Sequence, residues 1–302
     1  MVGFGEQIAD RFGKGIRTAP RDALIADSAK EGQRGRAFGL HRFLDNAGAV
    51  TGILIAYFLL TKYQGNIRVV FWLSLLPAFL AVLFLLPIQE KTKKDGPTSQ
   101  KTKLCLSWHS LDRRLQGFLL ITLLFTLGNS SNQFLLLKAK TTGIGDKEVI
   151  LLYLLFNLVA ALVSYPAARL SDRIGRRFFL VLGYIFYGLV YTGFAIAEGP
   201  GQIILLFALY GLYAGFTEGI EKALVADIAP PEQRATLIGL HAMLVGIGLL
   251  PASLLAGWLW DLFGSRATFL FGGTTGFTAG IAMYFLLQPR GITKKMSGRG
   301  VK

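Results

Sequence analysis

DALIADSAKEGQRGRAFGLH, residues 22–41, returns two hundred residues later as KALVADIAPPEQRATLIGLH, residues 222–241. Ten of the twenty positions are identical, among them Asp27 and Asp227, Arg34 and Arg234, and His41 and His241. The same offset carries the apolar runs with it. The run after Arg36 aligns with that after Thr236, and the run near Arg68 with that near Thr268. A duplication in a chain of long apolar runs is the signature of a membrane protein built from two related bundles.

Those runs set the fold class. A bilayer core of about 30 Å needs roughly 20 apolar residues in a helix. Stretches 69–89, 115–137, 149–168, 178–197, 235–260 and 267–289 contain no Asp, Glu, Lys or Arg. Stretch 43–61 holds one charge, Asp45, and 201–217 runs uncharged into Glu218, Glu221 and Lys222. The runs are continuous and do not alternate, so they predict helices and not a barrel. Residues 1–21 differ. They carry Glu6, Asp10, Arg11, Lys14, Arg17 and Arg21, and charge at mid-membrane costs at least about 2.5 kcal/mol per residue. This stretch is read as an interfacial helix or as a span sheltered by others. It shows no signal-peptide core.

Composition agrees. Of 302 residues 52% are hydrophobic and only 17% charged, with a mean hydropathy of +0.48. A disordered chain, a collagen-like repeat and a typical cytosolic enzyme are excluded. One cysteine, Cys105, permits no internal disulfide. A net charge of +14 in a soluble chain would suggest nucleic acid. Here the basic residues fall between the apolar runs, as in a membrane protein. No nucleic-acid partner is expected. Nor do a GxSxG, a Walker loop, HExxH or paired-cysteine spacing occur, so no enzyme, cofactor or metal site is expected.

The repeat also sets the organisation. A period of two hundred residues predicts a unit of six spans, near 103–302, and a first unit of which this chain supplies the last three. By that arithmetic about a hundred residues and three helices precede Met1 in an ancestral form. The expected divisions are 1–89 as the C-terminal half of one bundle, 90–114 as a Lys-rich linker, 115–289 as a second bundle and 290–302 as a basic tail.

The segment Ala168-Arg-Leu-Ser-Asp-Arg-Ile-Gly-Arg-Arg177 resembles the loop motif G-x-L-x-D-R-x-G-R-R of the major facilitator superfamily, with Ala168 in place of the first glycine. Residues 13–27, GKGIRTAPRDALIAD, resemble bacterial members of that superfamily. Gly48 and Gly52 resemble its antiporter motif only faintly, since Ile53 stands where the motif has proline. The resemblance implies an all-α polytopic bundle of about nine helices, numbered four to twelve of a twelve-helix fold. It implies even-numbered loops on the cytoplasmic side. Twenty Lys and Arg then lie inside and six outside, the sign that the positive-inside rule requires.

Several polar residues become candidates. In the resemblance Asp172 sits at a helix N-terminus of the opposite half, where free N–H groups attract anions. With Arg173, Gly175, Arg176 and Arg177 it forms a gating loop, and Arg173 and Arg177 are candidate partners of Asp227. A plain positive-inside loop is the alternative. Lys14, Arg17 and Arg21 share one helix face, and helices one, four, seven and ten line the cavity in the superfamily. An anionic substrate on Lys14 and Arg17, with Glu218 or Glu221 carrying a coupling proton, stands beside plain interhelical salt bridging. Asp45, one turn after His41, is a further proton candidate or a packing hydrogen bond to Asn46 or Arg42. Asn129, Asn132, Gln133, Tyr213 and Thr217 are candidate cavity-lining residues, with Ser130, Ser131, Tyr153, Asn157 and Tyr210 weaker ones.

The expectation is a secondary transporter of an unidentified small solute, monomeric, multi-pass in a bacterial inner membrane and surrounded by lipid. A non-transporting scaffold or an inactive shortened remnant is the alternative.

Overall fold

The computed structural model describes residues 18, 20–84, 108 and 111–287. No strand occurs among them. Helix α1 covers residues 20–28, and the rest follow as α2 (Arg34–Lys62), α3 (Ile67–Leu83), α4 (Arg113–Gly128), α5 (Gln133–Thr141), α6 (Asp146–Ile174), α7 (Arg176–Ile196), α8 (Pro200–Ile228) and α9 (Arg234–Leu286). Six segments are long and apolar enough to cross a membrane, with Ile67–Leu83 a shorter apolar helix. The fold is all-α, as expected.

Local chemistry sets the boundaries. Asn66 and Asp112 cap α3 and α4, their side chains accepting from the N–H groups of Arg68 at 3.1 Å and Arg114 at 2.6 Å. Pro200 opens α8, where a missing N–H costs nothing. Gly175 turns the chain from α6 into α7 at φ 113, and Gly264 breaks α9 at φ 78 and ψ 175. Such φ values are open mainly to glycine. The break divides α9 into arms 234–263 and 265–286, the two spans expected near 235–260 and 267–289.

Residues 115–137, read as a single span, lie in one membrane-length segment, Arg113–Thr141, but the helix within it stops at Gly128 and resumes at Gln133. Between them lie Asn129, Ser130, Ser131 and Asn132, whose side chains compete for backbone hydrogen bonds. Tyrosines hold the interruption. The Tyr187 hydroxyl donates to the Gly128 carbonyl and that of Tyr210 to Asn132 Oδ1, both at 2.9 Å.

The core of the second bundle lies among α4, α7, α8 and the second arm of α9, and it is aromatic. Tyr187 stacks on Tyr191 at 4.1 Å and Phe125 on Tyr184 at 4.2 Å. Glycines let α9 approach α7. A Cβ on Gly276 would lie 2.6 Å from the Tyr187 ring and 3.1 Å from Gly188, whereas Gly246 in the same helix faces open space. We therefore expect Gly276→Leu to destabilise the bundle by about 1–3 kcal/mol through overpacking, and Gly246→Leu to be neutral. Thermal unfolding in detergent reads the difference, and equal melting temperatures would refute the close contact.

Candidate functional site: the seam between the two repeats

The two copies of the repeat meet each other. Gln33 and Gln233, the N-caps of α2 and α9, share one backbone shape (φ −122, ψ 10 and φ −110, ψ 0). Arg34 Nη1 donates to Asp227 Oδ1 at 2.9 Å, while Arg234 Nη1 donates to Asp27 Oδ1 at 2.5 Å. Each arginine therefore binds the aspartate of the other copy. Lys222 Nζ reaches Asp22 Oδ2 at 2.6 Å, joining two positions that are equivalents of one another. Reciprocal crossing away from an axis, with equivalents meeting on it, is what a twofold relation between the copies requires.

A second layer ties the motif loop to this seam. Asp172, at the end of α6, accepts from the backbone N–H groups of Gly35 and Arg36, each at 2.9 Å. Its carboxylate thus caps α2, a helix of the first repeat, where the helix dipole favours an anion. Arg176 bridges the acids, with Nη2 3.1 Å from Asp172 Oδ1 and Nε 2.5 Å from Asp227 Oδ2. Gly35 makes the approach possible, since a Cβ there would lie 2.7 Å from the Ala168 carbonyl and 2.8 Å from Arg176 Nη1. The expected pairing of Arg173 and Arg177 with Asp227 is corrected. Arg34 and Arg176 take that acid. Arg173 is exposed, and Arg177 donates to the Tyr284 carbonyl at 2.9 Å and lies over its ring. The α-helical period explains this, because Arg176 opens α7 on the face turned to Asp172.

Inward from this latch lies a group of charges. Counting about 1.5 Å per residue, Glu221 is roughly 9 Å from Asp227 along α8, and Arg42 roughly 12 Å from Arg34 along α2. Arg42 pairs with Glu218 and approaches Asp45 at 3.6 Å. His41 Nδ1 is 3.7 Å from Asp45, and His241 Nε2 is 3.9 Å from Glu221. Arg21 Nε binds Asp22 at 3.2 Å, and Asp22 is wholly buried. The backbones of α8 and α2 pack closely at this level, since a Cβ on Gly219, between Glu218 and Glu221, would stand 3.5 Å from the backbone of Phe38 and Gly39.

The structure brings Arg21, Asp45, Glu218 and Glu221 into this group, and Asp172, Gly175, Arg176 and Asp227 into the latch. Lys14 and Arg17 lie outside the described residues. Asn132 and Gln133 border the break after α4, and Asn129 ends that helix. Tyr213 and Thr217 do not line a chamber. They are 4% and 0% exposed inside the second bundle, and the Thr217 hydroxyl donates to the Tyr213 carbonyl at 2.9 Å. Arg34, Arg234 and Asp27 were not site candidates from sequence, although they stand identical in both copies of the repeat, and Arg42 entered only as a packing partner of Asp45, which it approaches.

Breaking the latch has a readout. With Asp172→Asn or Arg34→Ala, a cysteine placed at Ala26, fully buried here, should react at least about tenfold faster with a water-soluble maleimide, as loss of one charged hydrogen bond of about 1.5–3 kcal/mol predicts. The reversed pair Arg234→Asp with Asp27→Arg should restore slow labelling that either change alone has lost. Unchanged labelling in the single variants would show that the contacts do not hold the seam.

Known proteins place this geometry. A family model described as Major Facilitator Superfamily matches residues 7–137 and again 118–300. An MFS-type transporter of Methanocaldococcus jannaschii is 38% identical over 285 residues, 92% of this chain and 70% of its own length. The multidrug resistance protein MdtH of Proteus mirabilis is 25% identical over 262 residues, which cover 84% of this chain and 63% of that protein. Among solved structures, the human organic anion transporter MFSD10 superposes with a TM-score of 0.65 at 15% identity, over 88% of this chain and 67% of that one. The last likeness concerns the fold. The chain spans about two thirds of the length of these proteins, and it belongs to the Major Facilitator Superfamily.

Proposed function

We propose that the chain works as a secondary transporter that moves a small solute across a bacterial inner membrane by alternating access. The observation that supports this most is the reciprocal seam. Its contacts join two repeats through ion pairs that reach solvent at Asp27 and Asp227 and through one helix cap, beside apolar contact made by Ala26 and Phe38. Paired charges of this kind bias a two-state element. The described conformation has the seam shut at the end that the charge bias assigns to the cytoplasm, so the solute would enter from the opposite face.

The charge group beyond the latch is the proposed binding region. Arg42 shares its guanidinium between Glu218 and Asp45, so an anionic solute can take the place of one carboxylate while Arg42 itself stays paired. Arg21 on α1 carries the same sign, and Lys14 and Arg17 precede it in the sequence. A displaced Asp45 would keep His41 as its neighbour, at 3.7 Å.

The test is flux. The purified chain in proteoliposomes should move at least one solute from a panel of labelled organic anions down an imposed pH or potential gradient. Arg42→Ala should lower that flux at least about tenfold, the worth of one charged contact, while Arg42→Lys keeps part of it. A folded, monodisperse chain with no gradient-driven flux across the panel would favour the scaffold reading instead.

A further inference from the structure

The end that the charge bias assigns to the cytoplasm gathers a second group of residues, at the start of α4, the start of α7 and the close of α9. Arg177, in the first turn of α7, lies 4.6 Å over the Tyr284 ring and donates to the Tyr284 carbonyl. From the other side α4 meets Leu286, since a Cβ on Gly117 would stand 2.5 Å from a Leu286 methyl. Tyr284 and Leu286 flank Phe285, so the close of α9 lies between α7 and α4 with Phe285 turned outward, 65% exposed. Arg113, one turn before Gly117 on α4, shares its face, and Arg114 follows it.

The group is basic, and the acids beside it are engaged elsewhere. Arg113, Arg114 and Arg173 are exposed, and Arg177 is half-buried. Asp227 is held by Arg34 and Arg176, and Asp172 by Arg176 and the first N–H groups of α2. Asp112 caps α4 through the Arg114 N–H. Among the described residues the ion pairs at this end belong to Arg34, Arg176 and Arg234, and none to the four arginines of this group.

Beside the arginines the surface is apolar. Phe178 in the first turn of α7, Tyr284 at the close of α9 and Leu120 on α4 are exposed as Phe285 is. Aromatic rings at the ends of membrane spans sit at headgroup level, which sets the neighbouring guanidiniums among phosphates. A guanidinium grips phosphate oxygens in pairs, and Arg177 keeps N–H groups beyond the one given to Tyr284. Free phosphate would meet the arginines alone. A lipid meets the arginines with its head and the rings with its chains. The engaged acids leave no carboxylate among the described residues of this group to hold an ammonium head, so the surface selects a lipid of net negative charge.

We propose that the surface formed by the starts of α4 and α7 and the close of α9 binds an acidic phospholipid of the cytoplasmic leaflet. Arg113, Arg114, Arg173 and Arg177 hold its phosphate, and its chains lie along Phe178, Phe285 and Leu120. The surface is separate from the solute region, and it stands whether or not the chain transports.

The purified full chain in detergent decides it. Its melting temperature is followed against dioctanoyl phosphatidylglycerol, dioctanoyl phosphatidylcholine and inorganic phosphate at equal ionic strength. We expect phosphatidylglycerol to raise it with a saturable midpoint, and the other two to leave it unchanged over the same concentrations. Arg113→Gln and Arg177→Gln should each move that midpoint about fivefold upward, the share of one arginine at an anionic surface. Arg68→Gln, an exposed arginine at the opposite end, should leave it in place. Should Arg177→Gln fail to fold, the exposed pair Arg113→Gln with Arg114→Gln carries the test, with an expected shift of at least about fivefold. A midpoint that these variants leave unmoved overturns the site. So does an equal response to phosphatidylcholine, which shows mere solvation by lipid. An equal response to inorganic phosphate shows an anion site that needs no lipid and overturns the proposal, as does the absence of any rise with phosphatidylglycerol.

Discussion

Charges at the seam of a duplicated protein obey a symmetry constraint. On the axis that relates two copies, a residue meets its own equivalent. Identical charges there would face each other in a low dielectric, where repulsion is strong. Away from the axis, a residue meets the equivalent of some other residue, so identical copies of an acid and a base pair twice. Both cases occur here. Asp22 and Lys222 sit on the axis and have diverged to opposite sign, 2.6 Å apart. Asp27, Asp227, Arg34 and Arg234 sit off it, remain identical in the two copies, and cross to make two ion pairs. The constraint accounts for the residues at these three pairs of equivalent positions.

Much of this was legible in the sequence. Continuous uncharged runs gave helices because only a helix satisfies its backbone in lipid, and the repeat offset told which helices are equivalents. The cap formed by Asp172 was readable through the family motif, since a carboxylate finds its N–H partners at a helix start. What sequence did not show was the choice among neighbouring cations. Arg173, Arg176 and Arg177 lie within five residues, and only the turn at Gly175 decides that Arg176 faces Asp227. The interruption at 129–132 was hidden for a related reason. Ser and Asn are tolerated in apolar helices when neighbours bond them, and the bonding groups, Tyr187 and Tyr210, lie 59 and 78 residues away from their acceptors. Tyr213 and Thr217 misled because hydroxyls on a helix of this type suggest a lining, whereas a threonine that bonds its own helix backbone can be buried at no hydrogen-bonding cost.

The latch is made of contacts that are individually modest. Charged hydrogen bonds of this type contribute about 1.5–3 kcal/mol each, and exposed ion pairs less than that. Asp227, a third exposed on its side chain, can exchange its arginines for water. Apolar packing recovers no such compensation on opening, so the charged part of the closure costs less to open than the buried Ala26 and Phe38 beside it.

One helix binds the levels together. Helix α8 carries Glu218, Glu221, Lys222 and Asp227 within ten residues, so it contributes to the charge group, the axial pair and the latch at once. A helix of 29 residues moves nearly as a rigid rod. Shifting α8 away from α1 and α2 must then loosen Asp227 from Arg34, Lys222 from Asp22 and Glu218 from Arg42 in a single displacement. Any species that changes the charge near Glu218 or Glu221 acts on the same rod that holds the latch, about 9 Å away. In the proposed cycle, coupling between the proposed binding region and the closed end needs no relay of intermediate residues, because both are carried by one helix.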